Sequence, residues 1–172
     1  MTSVPTGIDT SRFFPRDRDA VRTALGLPVA AVYVGILATL RDWKGHTVLF
    51  DALSQLLPAR PDLRLLIIGD GPYRDRLDTR AAALGITGQI DFVGHRSDAE
   101  QWLAAVDVFA LPSWGDEGVS QALMQAMACA LPIVTTPVGS LTEVIHDGKT
   151  GLIVPPRNAE ALAAAIVRLL DE

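Results

Sequence analysis

Short apolar runs at residues 31–37, 63–68, 90–93, 108–112, 133–135 and 152–154 are each followed by a turn and then by a segment of helical periodicity. Runs this apolar belong to strands covered on both faces, and the intervals between them are too long for hairpins. Successive strands must then be parallel and joined by right-handed crossovers. The chain is therefore predicted to be α/β, a Rossmann-like doubly wound parallel sheet. Its 172 residues form one domain, long enough to close a core. Helix punctuation agrees. Gly26 and Pro28 stop a short helix carrying Arg22 and Leu25, Gly85 ends the helix at 73–84, and Asn158 caps a last helix whose buried face carries Leu162, Ile166 and Leu169.

Composition removes several function classes. The formal charge is −5 and no Lys/Arg block occurs, which argues against a nucleic-acid groove or an anionic-membrane surface. A lone Cys129 excludes an internal disulfide, suits a reducing, cytoplasmic setting, and reads as a packed small hydrophobe. No apolar run approaches the length of a transmembrane segment, and no secretory leader pattern opens the chain. His46, His95 and His146 share no metal-ligand spacing, so no metal site is expected; His46 and His146 read as helix-surface or turn residues.

In a parallel sheet of this kind ligands bind outside the carboxyl ends of the strands, so the loops there are where chemistry is sought. The loop after the first strand offers Arg41 and Lys44 beside Gly45, the charge-assisted donors a diphosphate needs; a solvated charged loop is the alternative. The loop after the second is Gly69-Asp70-Gly71-Pro72, half of a dinucleotide fingerprint that a tight turn explains as well. The loop after the third holds Gly94, His95 and Arg96. The loop after the fourth holds Trp114 and Glu117, with Glu117 expected in the first turn of a helix and the amides of Gly118, Val119 and Ser120 at its positive end. Gln125 would stand about 12 Å further along that helix, able to line the same extended ligand but not to grip the same atom.

In this order and spacing the fragments resemble the C-terminal, donor-binding domain of a family 4 retaining glycosyltransferase of the two-domain GT-B architecture. The resemblance spans essentially the whole chain. It runs through Val4-Pro5-Thr6-Gly7-Ile8-Asp9 and Phe13-x-Pro15, then Arg41-x-x-Lys44-Gly45, Ile68-Gly69-Asp70-Gly71-Pro72, Phe92-Val93-Gly94 and Pro112-Ser113. It continues through Glu117-Gly118, Gln125-Ala126-Met127-Ala128, Pro132-Ile133-Val134 and Gly148-x-x-Gly151-Leu152. The resemblance implies that residues 1–15 correspond to the interdomain segment and that an acceptor-binding domain precedes residue 1. It also implies that Arg41 and Lys44 hold the donor's diphosphate and neutralise the leaving group, and that Glu117 binds the sugar hydroxyls. The loop at Gly94-His95-Arg96 would meet the base through main-chain groups, and position 125 the ribose. The family pattern Glu-x7-Glu is broken here, because position 125 is Gln: an amide has one accepting oxygen where a carboxylate has two.

The function so implied is binding of a UDP-, GDP- or ADP-sugar and, in a longer enzyme, metal-independent retaining transfer to an acceptor, with no cofactor beyond the donor. The isolated chain is expected to bind nucleotide weakly and transfer nothing. Two further readings stay open: a non-catalytic nucleotide-binding or regulatory module, and a sugar-nucleotide epimerase of the same architecture, for which no convincing acid–base pair is found on these loops.

Overall fold

A computed structural model describes residues 7–115, 117–118 and 120–172; Val4, Pro5 and Thr6 of the opening segment, and Val119 of the fourth loop, lie outside the described residues. Among the described residues there are six parallel strands, β1 (Val32–Leu37), β2 (Leu63–Ile68), β3 (Ile90–Gly94), β4 (Val108–Leu111), β5 (Ile133–Thr135) and β6 (Leu152–Ile153). Their order across the sheet is β3-β2-β1-β4-β5-β6. The helices are α1 (Arg18–Leu25), α2 (His46–Leu56), α3 (Arg74–Leu84), α4 (Ala99–Ala104), α5 (Gln121–Ala128), α6 (Leu141–Val144) and α7 (Ala159–Asp171). The predicted doubly wound sheet is the one observed.

The order follows from handedness. The crossovers from β1 to β2 and from β2 to β3 step outward in one direction, while the connection through α4 returns to the other side of β1, so a right-handed path puts α4 on the opposite face from α2 and α3. In keeping with this, α2 packs against α3 and α7, whereas α4 packs against α1. The central strands are buried along their length, β4 at every residue, as expected of strands covered on both faces. The strand order reverses between β1 and β4, where Val34 pairs with Val108 and Gly35 with Phe109. Loops leaving these two strands at their carboxyl ends must diverge, and a crevice opens between them.

Helix ends carry the expected chemistry. Gly26 and Gly85 adopt left-handed conformations that return N–H groups to the last turn. The Asn158 side chain accepts from the Ala161 amide, as predicted. In the opening segment Phe13 enters the core and Arg12 bridges to Glu100 at 2.8 Å, which ties this stretch to α4.

At the opposite end of the sheet from the crevice, α1 contributes a buried cation. Arg22 is 2% exposed; it donates to the carbonyls of Ala105, Val29 and Ala31 and to Asp107 at 2.5 Å. Asp107 also accepts from the Tyr33 amide and from Arg18. The guanidinium therefore joins the start of β1, the turn before it and the entry to β4, and its truncation would take a charged partner from Asp107 and leave several carbonyls without their donor. Arg22→Ala is expected to lower the unfolding free energy by about 3 kcal/mol, the scale of breaking a buried pair, read from urea denaturation.

Candidate functional site

The loop after β1 is short and stiff. Residues Asp42–Lys44 form one 3-10 turn, and Gly45 follows with φ 79°, its N–H bonded to the Asp42 carbonyl. A side chain at Gly45 would collide with the Pro112 carbonyl oxygen, so the β1 loop lies directly on the end of β4. A main-chain bond from the Trp114 amide to the Trp43 carbonyl (2.8 Å) fixes the same approach. The ends of two strands separated by the topological switch are thereby brought into contact.

That contact brings Lys44 to Glu117. The Lys44 ammonium donates to both carboxylate oxygens, at 2.7 and 2.9 Å, and the Ser113 hydroxyl donates to Oε1 at 2.6 Å. Glu117 is only 6% exposed, and burial of its charge is offset by this set of donors. Its main chain is held from β5: the Ser140 amide donates to the Glu117 carbonyl at 2.9 Å, and Thr136 donates to the Ser113 carbonyl at 2.5 Å. Gly139, with φ 55°, passes so close to Glu117 that a Cβ would overlap its carbonyl oxygen.

Arg41 is exposed, its guanidinium 5.1 Å from the Trp43 ring centre, and among the described residues it has no ion-pair partner. Its charge therefore remains available beside Lys44. Gly69 and Gly71 back onto the β1 loop: the Leu40 amide donates to the Asp70 carbonyl and the Tyr73 amide to the Leu40 carbonyl. This is the close-turn role, not a dinucleotide fingerprint. Next to it, a cavity of about 190 Å³ is lined by Ala38, Thr39, Gly69, Asp70, His95 and Arg96 among others. Gly94, at φ 72°, has its carbonyl engaged by the Gly69 amide at 2.9 Å, which sets the position of His95. The Arg96 guanidinium is paired with Asp98 at 2.9 and 3.0 Å, leaving chiefly its main chain for the cavity. A larger cavity of about 410 Å³ opens beside β3 between Arg74, Ile90 and Trp102; it contains none of the predicted site residues.

Two expectations are corrected. Glu117 is not in the first turn of a helix: α5 begins at Gln121, because Ser120 is its N-cap and accepts from the Leu123 amide. The Gly118 and Ser120 amides accordingly belong to the loop before the helix. Gln125 sits partly buried in the second turn, about 6 Å along the axis from Gln121. His46 is not a surface residue: it is 1% exposed, at the start of α2 beneath the basic loop, and neither ring nitrogen makes a hydrogen bond of normal geometry. Burial lowers its pKa to about 4; the Arg41 main chain partly opposes this, and the Lys44 charge adds to it.

Reading from sequence alone missed three contributors. Ser113 and Gly139 reach Glu117 through the fold, and Arg157 lies over the Trp114 ring at 3.7 Å while holding a left-handed backbone, φ 57°. Only Ser113, four residues before Glu117, carried a local signal. Among the described residues no three His, Cys, Asp or Glu side chains form a metal-holding group. No helix of the described residues is long and apolar enough to cross a membrane.

Two predictions follow from this geometry. Gly139→Ala is expected to destabilise by at least about 2 kcal/mol, since it adds left-handed strain to a main-chain overlap, and urea titration measures it. For His46, the folded pKa lies below the unfolded value of 6.5, so the unfolded chain binds more protons between pH 6.5 and about 4. Stability is complete above that window and falls through it by up to roughly 3 kcal/mol. Unfolding free energies measured across the window should show that fall in the wild type and a shallower one in His46→Leu.

Comparison with known proteins gives the family of the chain. Residues 28–172 match the family model described as glycosyl transferases group 1. The chain is 34% identical to the lipopolysaccharide core biosynthesis mannosyltransferase LpsB of Rhizobium meliloti, covering 99% of this chain and 51% of that protein. It is also 34% identical to a GDP-mannose-dependent alpha-(1-6)-phosphatidylinositol monomannoside mannosyltransferase of Mycolicibacterium smegmatis, over 98% of this chain and 47% of that one. Among solved structures it is similar to Anabaena HepE in complex with UDP and glucose, with TM-score 0.88, 28% identity, and coverage of 96% and 46%. The C-terminal domain of the group 1 glycosyl transferase LpcC from Francisella tularensis gives TM-score 0.86, 25% identity, and coverage of 96% and 89%. The chain spans about half the length of the curated relatives it matches. With a family model covering most of its length and a sheet that matches GT-B structures, the chain belongs to the group 1 glycosyl transferases.

Proposed function

We propose that this chain holds the nucleoside-diphosphate sugar of a family 4 retaining glycosyltransferase. The observation that carries the reading is the meeting of Lys44 with the buried Glu117 across the switch point, on a loop whose exposed Arg41 has no ion-pair partner among the described residues. A cation next to a carboxylate on facing loops suits a donor whose two ends differ, a dianionic diphosphate and a neutral, hydroxyl-rich sugar. Lys44 and Arg41 take the diphosphate, and Glu117 accepts from sugar hydroxyls. The base enters the cavity at Thr39, Gly69 and His95, Gln125 meets the ribose, and the loop amides of Gly118 and Ser120 serve the sugar and diphosphate. The HepE neighbour, solved with UDP and glucose, supports a uridine nucleotide as one candidate; the mannosyltransferase relatives support GDP-mannose as another.

Chemically, transfer requires charge to be stabilised on the departing phosphate as the sugar–oxygen bond breaks. Lys44 and Arg41 supply positive charge at that point, which lets the reaction run without a divalent ion. Because the relatives are about twice as long as this chain, the acceptor and any group that activates it are assigned to another domain of the full-length enzyme, and this chain alone binds the donor weakly without transferring it.

Calorimetric titration with UDP, GDP and ADP and their hexose conjugates tests the reading. The wild type should bind one nucleotide family in preference to the others, with no change on adding EDTA. Lys44→Ala should weaken the diphosphate by about tenfold or more, the scale of one charge-assisted hydrogen bond. Absence of binding by all of them would overturn the proposal, and transfer by the isolated chain would overturn the assignment of the acceptor to another domain.

A further inference from the structure

Ser113 is completely buried at the carboxyl end of β4, and its hydroxyl gives its one proton to Glu117 Oε1 at 2.6 Å. Its carbonyl is fixed in turn by Thr136, which is buried to the same degree. The Ser113 hydroxyl serves the group it touches, the buried Glu117 carboxylate. A carboxylate offers about four acceptor positions, two on each oxygen. Oε1 takes Ser113 and Lys44, and its positions are used. Oε2, among the described residues, takes only Lys44 at 2.9 Å. Among the described residues one acceptor position is left, and it lies on Oε2.

We infer that Ser113 is a positioning residue for donor-sugar recognition: by saturating Oε1 it fixes the rotation of the Glu117 carboxylate and leaves Oε2 as the acceptor for a sugar hydroxyl. This rests on the reading of Glu117 as the sugar contact. Without Ser113 the carboxylate keeps Lys44 but gains freedom to turn, and an acceptor with two orientations contributes less to one bound geometry. Lys44 keeps its place, so the diphosphate is held as before. The sugar is the part of the donor that feels the change.

The test compares the sugar increment, the ratio of affinity for a hexose conjugate to affinity for its bare diphosphate, in variants shown to be folded by their thermal transitions. In Ser113→Ala the increment should fall by about five- to tenfold, the scale of one hydrogen bond, with the affinity for the bare diphosphate within about twofold of wild type. Ser113→Thr, which restores the hydroxyl, should recover it. If Ser113→Ala does not fold, Ser113→Cys carries the comparison, with a smaller loss from its weaker donor. In a Glu117→Ala background, removal of the Ser113 hydroxyl should change nothing further, because the residue acts through Glu117. An unchanged increment, an equal loss for the diphosphate and its conjugate, or a full loss in the Glu117→Ala background would overturn the role of Ser113 while leaving the nucleotide-sugar reading intact. A wild type that binds neither diphosphates nor conjugates would overturn both.

Discussion

A carboxylate taken out of water must bring its donors with it, and the upper edge of this sheet is arranged around that requirement at Glu117. Lys44 comes from the end of β1, Ser113 from the end of β4, and the main-chain support from the turn after β5, so three neighbouring strands are committed to one side chain. The glycines at 45 and 139 have the same explanation, since each removes a side chain where two backbones must pass in contact. The crevice is the geometric remainder of this packing: loops from strands on either side of the order reversal are drawn together at one point and separate on both sides of it.

The opposite edge of the sheet solves a similar problem for another purpose. Arg22 and Asp107 are buried together with main-chain groups of both central strands, beside a cavity of about 250 Å³ lined by Arg16, Arg18, Asp107 and Cys129 among others. Charge is buried at both ends of β1 and β4; at the carboxyl end a second cation, Arg41, is exposed on the loop and has no ion-pair partner among the described residues. The cluster at the amino end ties the two central strands together, and the carboxyl end brings a loop cation to a buried carboxylate.

Strand positions and the three helix-end assignments were legible because apolar runs and glycine or asparagine punctuation act over a few residues. The start of α5 was not, because the contacts that hold Glu117 outside the helix, from Lys44 to its carboxylate and from Ser140 to its carbonyl, are tertiary, and the helix begins only after its cap at Ser120. His46 misled because histidine usually finds water, whereas here the loop above it is pinned to β4 and closes over the ring. The Arg157–Trp114 stack joins positions too far apart in sequence for any local pattern to pair them. The family resemblance supplied roles for residues that propensity alone leaves as a charged surface loop.

The last helix of the chain has a mechanical bearing on the first loop. Helix α7 packs against α2, and α2 begins at the residue that follows Gly45. Its contacts thus brace, through a single rigid rod, the segment that carries Lys44. Packing on the far side of α2 therefore bears on where the cationic turn sits, although α7 itself holds no residue of the crevice.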